Sequence, residues 1–229
     1  MRRLFSGIAI LVSGAASLSA QPVDPAGTAS NAVENATVSQ LPAVSEFVRF
    51  GQYSEALAIL NQEDAGGLRP EEAKVYRGIM AWRQGQIQAA EGYFRDAIAM
   101  NPGYDSGHFN LGELAYSRRD FEEALNAYRA VIAIDETNPV AQLKGLLCLI
   151  QLDRQSDADE WMKTIHYSSK NPLFYYAHAV RHFQRGETDA GMYFVVAARQ
   201  LFARSDNQIF LTFLLEQGWI TPAEMNREI

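Results

Sequence analysis

One interval constrains this chain more than any other feature. Between Glu71 and Asn138 a set of side chains occurs twice. Gly78, Gly85, Ala90, Phe94 and Ala97 return as Gly112, Arg119, Ala124, Tyr128 and Val131, each 34 residues later. That interval is the length of one helix–turn–helix repeat. The phase continues on both sides. A small residue stands at Ala56, Ala90, Ala124, Ala158 and Ala190, in steps of 34, 34, 34 and 32. A bulky one stands four places on, at Leu60, Phe94, Tyr128, Met162 and Phe194. Small side chains let paired helices cross closely, and large ones fill the space beside the crossing. Two such units cannot bury their own faces, whereas five stacked units can.

The period and its punctuation place the helices. A short first helix after Leu41 ends at Gly51, and the next begins at once. Pro70 suits the first turn of the following helix, where a missing N–H is not needed. Helices are expected near 70–84 and 86–100, 105–117 and 120–134, 139–151 and 155–167, and 172–185 and 187–204. After Arg204 the period is lost. Ser205-Asp206 can cap a helix through Leu215. Thr221-Pro222-Ala223-Glu224 reads as a capping box. This tail, with Phe210, Leu211, Phe213 and Leu214, is too apolar for a solvated cap. It folds back onto the array or meets a partner.

Leu111-Gly112, followed by Phe121-Glu122-Glu123-Ala124-Leu125-Asn126-Ala127-Tyr128, resembles the tetratricopeptide repeat family. End-of-repeat prolines stand at Pro102 and Pro172, with a displaced one at Pro139. Lys74 replaces the aromatic that usually opens the first helix. The resemblance spans Leu41 to Arg204. It implies an all-α, right-handed superhelical solenoid of about five helix pairs, followed by capping helices over 205–229. In similar proteins the first helix of each pair lines the inside of the curve. Here that predicts a partner-binding wall of Val75, Ile79, Trp82, Arg83, Phe109, Glu113, Tyr116, Leu143, Leu147, Ile150, Tyr176, Val180, Phe183 and Gln184. Such a mostly apolar, aromatic wall suits a peptide helix or an extended apolar segment of a protein partner. The bland alternative is that these side chains contact neighbouring helices or the tail.

The ends of the chain bear on compartment. Arg2 and Arg3 precede an apolar run, Leu4 to Val12, and then small residues to Ala20. This pattern predicts an export signal over 1–20. Cleavage near Ala20, or after Ser17 or Ser19, competes with a retained anchor. No cysteine follows the run, so lipoprotein processing is excluded, and a periplasmic or envelope-associated location is expected. Residues 21–40 are rich in Pro, Gly, Ala, Ser, Thr and Asn and read as a disordered linker. The formal charge is −7, and no Lys/Arg cluster exceeds a pair. Nucleic-acid binding, which needs a positive patch, is not expected. Cys148 is the one cysteine, on an apolar helix, and reads as a buried thiol.

Little in the sequence points to chemistry. His178 and His182 share a helix face, yet two ligands do not complete a metal site, and Ala179 stands where a catalytic zinc helix carries glutamate. The acidic pairs fit solvated helix faces. No nucleophile elbow or phosphate-binding glycine loop occurs. The expectation is no enzyme, no metal and no cofactor. The preferred function is an interaction module, and the rival is an assembly subunit of an envelope complex that docks through its C-terminal cap.

Overall fold

The computed structural model describes residues 41–62 and 68–226; the export signal and linker expected over 1–40 lie outside them. Every regular element among the described residues is helical. The helices are α1 (Leu41–Arg49), α2 (Tyr53–Leu60), α3 (Pro70–Arg83), α4 (Ile87–Met100), α5 (Asp105–Ser117), α6 (Phe121–Ile134), α7 (Pro139–Gln151), α8 (Gln155–Thr164), α9 (Leu173–Gln184), α10 (Thr188–Leu201), α11 (Arg204–Glu216) and α12 (Pro222–Asn226). Among the described residues no helix is long and apolar enough to cross a membrane. The chain divides into two compact units, one reaching to Gly107 and one starting at His108.

The same backbone device closes each hairpin. Gly51, Gly85, Arg119, Asp153, Gly186 and Gly218 all have positive φ. The amide that follows each one bonds five residues back: Gln52 to Phe47, Gln86 to Ala81, Asp120 to Ala115, Arg154 to Leu149, Glu187 to His182 and Trp219 to Leu214. This left-handed turn satisfies carbonyls that the helix end leaves open. It returns at the repeat interval because a hairpin of fixed length must reverse at a fixed place. Arg119 and Asp153 adopt this conformation although they have a Cβ, which costs roughly 1–2 kcal/mol relative to glycine.

Caps mark the helix starts. Pro70 opens α3, and the Glu72 carboxylate accepts from the Arg69 amide at 3.0 Å. Asn138 Oδ1 accepts from the Ala141 amide at 3.0 Å, and Asp120 Oδ1 from Glu123 at 3.2 Å. Thr221 and Glu224 form the expected reciprocal box, at 2.6 and 3.2 Å. The expected Ser205-Asp206 cap is not used. The helix starts at Arg204 on Ala203, with no side-chain cap, and Ser205 bonds its neighbour Asp206.

Within each pair, large residues sit on small ones. A Cβ on Gly112 would lie 2.9 Å from the Tyr128 ring, and one on Gly145 would lie 2.4 Å from Trp161. Ala56, Ala90, Ala124 and Ala158 are buried, as the small-residue phase requires. Two assignments in that phase are corrected. In the fourth pair Trp161, not Met162, fills the crossing, and its indole N–H donates to the Gln142 carbonyl at 3.1 Å. In the fifth pair the buried positions of α10 are Gly191, Val195 and Ala198, while Ala190 and Phe194 are only half-buried. The step from Ala158 is therefore 33, matching the 33 between the turn residues Asp153 and Gly186. Here the sizes are exchanged as well: Phe183 of the first helix packs on Gly191 of the second.

In the first unit α1 packs on α2 and α3 on α4, with α3 also against α1 and α2. In the second, α7 packs on α6, α8 and α9, and α9 on α10. The core of this unit runs from Phe109 to Ile220 and includes Cys148, whose thiol burial pushes up to about 12.

Candidate partner-binding wall

The side chains expected to line an open wall are mostly buried. In the first unit Val75, Ile79 and Trp82 are in the core, and Arg83 is half-buried with its guanidinium donating to the Val48 carbonyl of α1 at 2.7 Å. In the second, Phe109, Glu113, Leu143, Leu147, Tyr176, Val180 and Phe183 are buried, while Tyr116, Ile150 and Gln184 are half-buried. Gln184 accepts from Arg181 at 3.0 Å.

The second group owes part of its burial to the tail. Helix α11 and the turn behind it reach side chains of α5, α7 and α9. Phe210 stacks on Tyr176 with centroids 4.9 Å apart and planes 10° from parallel. The buried Tyr176 hydroxyl donates to Asn207 Oδ1 at 2.9 Å, and the Asn207 amide donates to the carbonyls of Phe202 and Ala203. Gln217 donates to the Tyr116 hydroxyl at 3.1 Å and accepts from Gln151 at 2.9 Å. Trp219 stacks on Phe183 at 5.9 Å. The fold-back alternative for the tail is the observed one.

Beneath α11 lies a buried ion pair. Lys144 is 2% exposed, and its ammonium sits 3.0 Å from Glu113 Oε1 and 3.2 Å from Oε2. The Tyr128 hydroxyl donates to the same carboxylate at 2.6 Å. Burial first, and then this carboxylate, holds that phenol well above its ordinary value. The outer side of the ammonium is covered by rings, Tyr116 at 4.7 Å and Phe213 of α11 at 4.2 Å. Such cation–π contacts strengthen on desolvation. Sequence reasoning placed Glu113 and Tyr116 on the wall but missed Lys144, which lies on the same apolar helix as Cys148. A single charge inside Leu143–Ile150 was the available signal.

The histidine pair is otherwise engaged. His178 and His182 flank the Phe194 ring at 5.0 and 5.3 Å, and His182 Nδ1 lies 2.5 Å from Glu187. Among the described residues no group of three or more His, Cys, Asp or Glu could hold a metal ion. A separate open cleft of about 950 Å³ lies beside Arg129, Trp161 and Lys170, and no wall residue lines it.

The tetratricopeptide repeat model matches residues 41–105 and 77–139. Residues 41–139 are thus similar to tetratricopeptide repeats. The fold is similar to that of a thermophilic TPR protein from Thermus thermophilus. That match has 18% identity and a TM-score of 0.56, and covers 76% of this chain and 97% of that one. A second solved structure, MamA MSR-1 C2, matches with 20% identity and a TM-score of 0.49, over 72% of this chain and 95% of that one. No curated protein matches the chain. The hairpin geometry described above is that of the matched repeats; α11 lies outside the residues that the family model matches.

Proposed function

We propose that this chain is an exported, non-catalytic interaction module that holds a protein partner on the inner wall of its repeats. The repeat family supports protein partners as a class. Export rests on Arg2, Arg3 and the apolar run Leu4 to Val12, and the envelope is the expected setting. The observation that carries the wall reading is α11: the wall of the second unit already holds one apolar, aromatic helix through Tyr176, Phe183, Tyr116 and Lys144. A surface that seats such a helix in the chain itself has the shape and chemistry for a helix from elsewhere.

A second reading, docking of the C-terminal region into a larger envelope assembly, draws on Tyr193 and Leu201 of α10, which are 70% and 60% exposed. Capture of the partner from envelope extract by the 21–229 form separates the two. Tyr116→Ala with Phe183→Ala abolishes capture while leaving the helical spectrum intact if the wall is the site. Capture that survives this pair and is lost in Tyr193→Ser with Leu201→Ser supports docking through α10 and ends the wall reading.

A further inference from the structure

We propose that the cleft beside Trp161 is a second binding site, and that it takes an acidic peptide segment of a protein partner with apolar side chains between its carboxylates. The site does not rest on the wall reading, since no wall residue lines it.

A departure from the repeat accompanies the cleft. The second helices α4, α6 and α10 each have 14 residues, whereas α8 has 10 and is shorter by about one turn. In place of that turn the chain runs from Ile165 to Pro172 without regular structure. Residues of this segment and of the end of α6 line a space of about 950 Å³. That is near the top of the roughly 300–1,000 Å³ range of ligand pockets. The apolar part of the lining is Ile132, Leu173 and the half-buried Trp161. The Trp161 ring is held in place, because it sits over Gly145 and its indole N–H already donates to the Gln142 carbonyl at 3.1 Å. What it offers a ligand is therefore an apolar surface.

Charge defines the ligand. Arg129 and Lys170 both line the cleft and are exposed. The Arg129 guanidinium stands over the Trp161 ring at 5.8 Å, which keeps a positive charge beside the apolar part. Neither cation has a carboxylate partner among the described residues, because the acidic groups of α6 and α8 are engaged elsewhere. Glu122 and Asp157 pair with Arg154, Glu123 with Arg118, Asp159 with Arg181 and Arg185, and Glu160 with Lys163. Residues 165–172 include no Asp or Glu. Among the described residues Glu136 is the one carboxylate of the lining, set against Arg129, Lys170 and His166. A chain with a formal charge of −7 thus keeps a local positive surplus next to an apolar floor. An acidic segment supplies the missing carboxylates, and its apolar side chains cover Trp161. Nucleic acid does not fit, since two cations neutralise few phosphates and the net negative charge repels the rest. The cleft is open, which suits a peptide chain better than a small ligand that needs enclosure on most sides.

The test uses the full chain and a set of fluorescein-labelled nonapeptides of one design. The first alternates Glu with Leu and Phe, the second replaces each Glu by Lys, and the third replaces Leu and Phe by Ala. Anisotropy shows saturable binding of the first, and binding roughly tenfold weaker for the other two. Arg129→Gln with Lys170→Gln weakens the first peptide roughly tenfold and flattens its salt dependence. The helical spectrum stays unchanged, because both side chains are exposed. Arg49→Gln with Arg204→Gln removes the same charge from exposed positions outside the cleft and leaves binding within about twofold. Binding of the first peptide also alters tryptophan emission, and Trp161→Phe removes that response. No binding of the first peptide, equal binding of the Glu and Lys peptides, or equal loss in the two double variants overturns the site. Undiminished binding of the alanine peptide overturns it as well, because the apolar floor would then be idle. An emission change that survives Trp161→Phe puts the peptide at another tryptophan and has the same consequence.

Discussion

Lys144→Met removes the buried ammonium while nearly keeping the volume of the stem. Glu113, 8% exposed, then loses donor contacts at 3.0 and 3.2 Å and keeps only the Tyr128 hydroxyl at 2.6 Å. Stripping one partner from a buried ion pair costs about 3–5 kcal/mol, because the remaining charge stays desolvated. The surviving hydrogen bond to the carboxylate, a class of bond worth about 1.5–3 kcal/mol, places this case at the low end of that range. The methionine sulfur recovers about 0.3–1.5 kcal/mol against the Tyr116 and Phe213 rings, offsetting the lost cation–π contacts of similar size. The expected loss is about 3 kcal/mol. With a urea slope of about 1–3 kcal/mol per molar, the unfolding midpoint falls by roughly 1–3 M. Circular dichroism follows the helices, and tryptophan fluorescence follows Trp219 against Phe183; both are needed because repeat arrays need not unfold in one step. Glu113→Gln added to Lys144→Met removes the stranded charge, keeps an acceptor for Tyr128, and restores most of the loss. A single variant within about 1 kcal/mol of the parent, or a double variant no better than the single, would refute the buried-charge account.

Three further outcomes follow from the turns and the core. Arg119→Gly relieves a positive φ of 65° and stabilises the chain by about 0.5–1 kcal/mol, after glycine's greater freedom in the unfolded chain is set against it; an unchanged or lower melting temperature contradicts this. Cys148, its thiol pushed up to about 12 by burial, resists alkylation at neutral pH and reacts only in denaturant, so rapid labelling of the native chain would contradict the closed core. Burial and the neighbouring His182 hold the His178 imidazole below its ordinary value, so the folded chain binds fewer protons there than the unfolded one. Its contribution is full above about pH 6.5 and is lost as pH falls toward the lower folded value, so His178→Phe should flatten unfolding midpoints measured between about pH 7 and about pH 5.

The period was legible because each hairpin contacts mainly its chain neighbours, so packing is written into the sequence at a fixed interval. Gly78 under Phe94 and Gly112 under Tyr128 are local pairs, and the intervals between Gly51, Gly85 and Arg119 show directly in the residues. The register of α10 was less legible. Ala190 and Phe194 imitate the small–large pattern one place early, and only the turn at Gly186 sets which face of the helix meets α9. Trp161 was hidden in the same way, by Met162 standing at the expected spacing.

What the sequence determined by itself is therefore the hairpin, its reversal point and the family of its first 34-residue units. Tertiary structure alone decided that α11 covers the wall of the second unit. The contact of Gln217 with Tyr116 joins residues 101 apart, and no interval in the chain encodes it. It arises because the apolar face of α11 buries against Tyr176 and Lys144, side chains that different repeats contribute.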